Sequence, residues 1–136
     1  MALSRKFSGG QGGNSNFKTP FKNVAIGVGA LQAGDTTGNE NIAIGQAALD
    51  AQTTGYKNIA IGTDTLGAST TGCLNIAIGR LAMGGADTTG INNIALGNAA
   101  LDALTSGSCN IAIGKDALGA ATTSSNNIAI GCGAMN

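Results

Sequence analysis

The chain has 136 residues, with no His, no Trp and 3% aromatic side chains. Histidine-dependent catalysis and histidine metal ligation are therefore excluded, and little remains to fill a conventional aromatic core. Yet 43% of the residues are apolar, 10% are charged and the formal net charge is zero, the reverse of a disordered chain's balance.

The charges are divided along the chain. Residues 1–22 carry Arg5, Lys6, Lys18 and Lys22 and no acid, whereas residues 23–136 hold Lys57, Arg80, Lys115 and all seven acids. The first segment reads "MALSRKFSGGQGGNSNFKTPFK". Its Gly, Ser and Asn content predicts a flexible arm, and Pro20 prevents a helix before the next segment. All three phenylalanines of the chain, Phe7, Phe17 and Phe21, lie here. Together with Arg5 and Lys6 they make a candidate docking segment for an acidic partner. A plain leader, with Phe21 covering the start of the next segment, is the other reading. No apolar leader core and no apolar run of 18 residues occurs, so neither a signal peptide nor a membrane span is predicted.

From Asn23 onward the chain repeats. "NIAIG" or a close variant begins at Asn23, Asn41, Asn58, Asn75, Asn93, Asn110 and Asn127, at spacings of 17 or 18 residues. The last unit ends after ten residues. Units at Asn23 and Asn75 are longer and share "DTTG", those at Asn41 and Asn93 share "AALDA", and those at Asn58 and Asn110 are also alike. The pattern is that of a three-unit block copied once and begun again.

Such a period predicts an all-β parallel solenoid, one unit per coil. "NIAIG" alternates, so its two Ile face one side and its Ala the other. The expectation is that the large residues fill the interior, giving a core of Ile42, Ile44, Ile59, Ile61, Ile76, Ile78, Ile111 and Ile113. A second short strand around "AL" is expected to add Leu31, Leu49, Leu66, Met83, Leu101 and Leu118. The fifth-position Gly turns the chain, and "TTG" closes the coil with a Gly that supplies a tight turn. Helix is disfavoured because two Gly per unit cost about 1 kcal/mol each inside one. The Asn column either forms a ladder of side-chain bonds between coils or merely suits the turn before a strand.

The Ala column (Ala25, Ala43, Ala60, Ala77, Ala95, Ala112, Ala129) contains no other residue type. Placed outside, so small and uniform a face predicts close packing on another chain, with Ala43, Ala60, Ala77, Ala95 and Ala112 at the contact and a threefold axis as the simplest arrangement. The alternative is a monomer in which this column lines a narrow interior. The open end of a coil stack calls for a cover, whether from the oligomer or from another protein.

Cys73, Cys109 and Cys132 are odd in number and lack CxxC spacing, which predicts free thiols. The carboxylates are scattered over the units, and the "GxG" fragments open no helix. No catalytic, cofactor-binding or metal-binding residue is predicted, and nucleic-acid binding is disfavoured by low aromatic and basic density.

"NIAIGxxALxAxTTG" resembles the "NTAIGYxALxxNTTG" repeats of phage tail-fibre and related virion proteins. More loosely it resembles the "SVAIG" repeats of trimeric autotransporter adhesin heads, which are left-handed parallel β-rolls. The resemblance covers residues 23–136, although the usual Tyr after "AIG" is missing and no chaperone domain follows. It implies a left-handed, homotrimeric scaffold with no enzymatic activity, assembled in a host cytoplasm into a virion and attached to tail or capsid proteins through residues 1–22. A small tail fibre or spike is the leading expectation, and a capsid decoration protein is the alternative. A carbohydrate-binding adhesin, with a host surface receptor as partner, and an ice-binding solenoid with Thr53-Thr54, Thr70-Thr71 and Thr88-Thr89 in ladders are further alternatives.

Overall fold

The structure, a computed structural model, describes residues 22–33 and 37–136. The docking residues Phe7, Phe17, Phe21, Arg5 and Lys6 expected from the sequence lie outside them.

Seven three-residue strands form one parallel sheet in chain order: β1 (Val24–Ile26), β2 (Ile42–Ile44), β3 (Ile59–Ile61), β4 (Ile76–Ile78), β5 (Ile94–Leu96), β6 (Ile111–Ile113) and β7 (Ile128–Ile130). Each strand lies in register on the next, so that Ala43 pairs with Ala60 and Ala60 with Ala77. The chain is therefore a β-solenoid of about six turns. Because strands stack about 4.8 Å apart, the sheet is roughly 29 Å tall.

Period two decides which side chains enter each coil, and the outcome is the opposite of the size-based expectation. The Ala column lies inside. Ala43, Ala60, Ala77, Ala95 and Ala112 are fully buried, so the proposed contact residues are core. Ile42, Ile44, Ile59, Ile61, Ile76 and Ile111 are half-buried, and Ile78 and Ile113 are exposed, so the expected Ile core is the outer face. The reason is space. The interior already holds Ala48, Ala82, Ala100 and Ala117 together with Leu49, Leu66, Met83, Leu101 and Leu118. Seventeen residues enclose only that second wall and one column of small side chains opposite it.

The second strand expected around "AL" is absent among the described residues, and turns occupy that stretch. There the backbone enters the left-handed region at alternate non-glycine residues, as at Ala47 (φ 53°), Leu49 (φ 52°), Asp64 (φ 54°) and Leu66 (φ 49°). Each such residue costs about 1–2 kcal/mol. Bonds along the stack hold them there. The Ala47 amide donates to the Val28 carbonyl on one side (2.9 Å), and the Leu49 amide donates to the Thr65 carbonyl on the other (3.1 Å).

The fifth-position Gly turns the corner at a φ of 127–141° from Gly27 to Gly131. A Cβ on Gly45 would also stand 2.3 Å from the Gly62 carbonyl oxygen. The longer coil at residues 75–92 takes its extra residue before the closing turn. Asp87 then replaces a backbone acceptor, its Oδ1 receiving the Thr70 amide at 2.9 Å. In the 17-residue coil at residues 41–57, the corresponding Thr53 amide donates to the Thr70 carbonyl (2.9 Å).

One buried amide per coil closes the turn and joins it to its neighbour. Asn58 Nδ2 donates to Asn41 Oδ1 (3.2 Å) and to the Gly72 carbonyl at the far end of its own coil (2.7 Å), while Asn58 Oδ1 accepts the Asn75 amide (3.0 Å). The pattern continues from Asn75 to Asn93 and from Asn93 to Asn110, at 2.9 and 3.0 Å. The column is thus a ladder, with Asn41, Asn58, Asn75, Asn93 and Asn110 fully buried.

Asn75→Ala would strip the buried Asn93 amide of its acceptor and the Gly90 carbonyl of its donor. At about 1–3 kcal/mol for each of the two orphaned groups, denaturant unfolding is expected to show a loss of roughly 2–6 kcal/mol. Asn127→Ala, on the outermost and part-buried rung, is expected to lose less than half of that.

Candidate assembly surface

With alanine inside, the large apolar residues of every strand (Val, Ile and one Leu) face outward as two columns. One runs from Val24 through Ile42, Ile59, Ile76, Ile94 and Ile111 to Ile128. The other runs from Ile26 through Ile44, Ile61, Ile78, Leu96 and Ile113 to Ile130. Exposure is 42% at Ile26, 40% at Ile78 and 37% at Ile113, rising to 68% at Ile130 on the last strand. Residues two apart on a strand are about 6.6 Å apart, so the stripe is two side chains wide and spans the height of the stack. No charged residue interrupts it. Single exposed apolar residues are ordinary, and a contiguous apolar face makes this stripe the candidate contact surface.

Its flanks are mixed. The residues that follow the corner glycines include Gln46, Thr63, Arg80, Asn98 and Lys115. Those just before each Asn include Glu40, Lys57, Leu74, Asn92 and Cys109, and exposed Tyr56 and Ile91 lie beside them. Lys57 and Glu40 approach to 3.9 Å on the surface, a pair of small energetic weight. Lys115 bonds the Asp116 carboxylate, which raises its pKa.

Thr53, Thr70, Thr88, Thr89 and Thr105, beside the closing turns, use their hydroxyls along the stack. Thr53 Oγ1 donates to the Thr70 carbonyl (3.0 Å) and Thr105 Oγ1 to the Thr122 carbonyl (2.9 Å). These two hydroxyls serve the coil. Cys73, Cys109 and Cys132 are free thiols. Among the described residues no group of three His, Cys, Asp or Glu side chains could hold a metal ion. No described helix is long and apolar enough to cross a membrane.

Sequence reasoning identified these Ile and Leu columns as apolar ladders but placed the Ile on the wrong side. The signal that could have corrected it is the Asn two residues before each Ala. Period two puts both on one face, and a ladder of amides belongs inside. Comparison of the chain with family models, curated proteins and solved structures finds no match in any of the three.

The Asp50 carboxyl is held above its ordinary pKa. Partial burial is the main cause and the charge of Asp64 adds to it, while bonds from the Ala51 amide and its own amide pull the other way. A folded-state pKa above the unfolded value means that the folded chain takes up the proton more readily. Stability is therefore gained as pH falls through the folded value and is fully recovered below about 4, the ordinary aspartate value. Asp50→Asn is expected to raise the melting temperature at pH 7, and this advantage should disappear by about pH 3. An equal gain at both pH values would contradict the assignment.

Proposed function

We propose that this chain is a structural, non-enzymatic component of a phage virion, a small fibre or spike of three copies whose isoleucine stripes meet along a common axis. The observation that carries the reading is the outward stripe of fourteen Val, Ile and Leu side chains. A surface two side chains wide, running the full height of the stack, suits a wedge meeting its copies at an axis.

Magnitudes favour association. Full burial of such a side chain is worth about 1.5–3 kcal/mol, and roughly a third of that remains to be gained at most positions of the stripe. Three chains together would gain on the order of 30 kcal/mol, against two association steps costing about 4–15 kcal/mol each. The contact differs from the alanine-lined one expected from the sequence, since alanine is unavailable inside the coil. The repeat pattern's resemblance to tail-fibre and related virion repeats supports the virion setting. The positive charge and three phenylalanines of residues 1–22 suit attachment to other virion proteins.

Sedimentation equilibrium of the purified chain is expected to give three times the 13.2 kDa of one chain. Ile76→Asp, which would bring three carboxylates together at mid-axis, is expected to yield single chains that keep their β-type circular dichroism. A wild-type chain that sediments as one copy would end the trimer reading. In particles, deletion of residues 1–19 is expected to abolish incorporation, and unchanged incorporation would remove the anchoring role.

A further inference from the structure

The glycine that closes each coil is required for a reason the sequence does not suggest. Gly38, Gly55, Gly72, Gly90 and Gly107 each stand three residues before an Asn of the ladder, and none has φ in the left-handed region. What each lacks is room. A Cβ would lie 2.0 Å from a carbonyl oxygen of the next coil at Gly38, 2.2 Å at Gly55, 2.5 Å at Gly72, 1.9 Å at Gly90 and 2.1 Å at Gly107. In each case the obstacle is backbone, which cannot swing aside as a side chain can.

At the sixth closing turn the same position holds Ser124. Its backbone sits where the glycines' backbone sits. The Ser124 carbonyl accepts Asn110 Nδ2 at 2.9 Å, just as the Gly107 carbonyl accepts Asn93 Nδ2 at 2.9 Å. Its Cβ therefore points to where the carbonyl of a seventh closing turn would come. We propose that Ser124 is a steric stop, which ends the regular solenoid at its sixth closing turn.

Neither further repeats in the same chain nor a second copy laid end-on can add a complete coil in register above it. Whatever covers the outer edge of β7 must do so with something other than another coil of this kind. The stack is thereby kept finite, independently of how many copies meet along the isoleucine stripe.

The test uses the full chain, extended after Asn136 by a second copy of the sequence of residues 51–74, which completes the seventh coil and adds an eighth. Stacked repeats raise stability through each new interface. With Ser124→Gly the extended chain is expected to melt several degrees above the unextended parent. With Ser124 retained it should melt no higher than the parent, and the added residues should be removed by limited proteolysis. Ser124→Gly alone, in the unextended chain, should change the melting temperature little. Gly107→Ser in the unextended chain should lower it sharply. An equal gain in the two extended chains, no gain in either, or a Gly107→Ser chain as stable as the parent would each overturn the proposal.

Discussion

The interior of each coil is too narrow for large side chains on both walls, and most of the structure follows from that limit. One wall carries Leu or Met at the ninth position of five coils, such as Leu49 and Met83. The opposite wall must then be small, and alanine fills it in all seven strands. Asn lies two residues earlier on the same face, so its amide is carried into the interior, where an unpaired polar group would cost about 1–3 kcal/mol. Stacking of identical coils resolves the cost. Each amide finds the next at hydrogen-bond distance and uses its remaining donor on the closing turn of its own coil. The ladder depends on the repeat, and the repeat is held in register by the ladder.

Close stacking sets the other requirements. Carbonyls of one coil come so near the next that certain positions cannot carry a Cβ, and glycine recurs there on steric grounds even where φ is ordinary. At the alternate left-handed residues Ala47 and Leu49 the amides point to opposite neighbouring coils, so leucine occupies a backbone conformation it otherwise avoids. In the longer fourth coil the spacing slips by a residue, and the Asp87 carboxylate supplies the acceptor that the backbone no longer offers. Each departure from local preference is offset by a bond or a clearance between neighbouring coils.

This explains what was legible in the sequence. The period of 17 or 18 residues specified parallel strands in register, because identical residues one period apart must stack. The corner glycines and the inward Leu column could also be read, since each belongs to a single coil. The reading failed where the answer lay between coils. The repeat suggests a second strand at "AL", yet inter-coil bonds hold turns there. Size favours Ile inside, yet the width of the coil admits only Ala. "DTTG" marks the longer units in the sequence, but the reach of Asp87 to the neighbouring coil is visible only in the structure.

The same narrowness that places alanine inside accounts for the most distinctive surface of the molecule. A single chain buries its smallest apolar residues completely and leaves many of its largest half in water, an ordering opposite to that of an ordinary globular core. Replacing the outer Ile with polar residues would leave the Asn ladder, the Ala column and the Leu wall untouched. The strands' backbone bonds therefore do not require isoleucine on the outer face. Because that face need not be apolar for the coil to close, its uniform Val, Ile and Leu content is the feature that the proposed contact between copies would use.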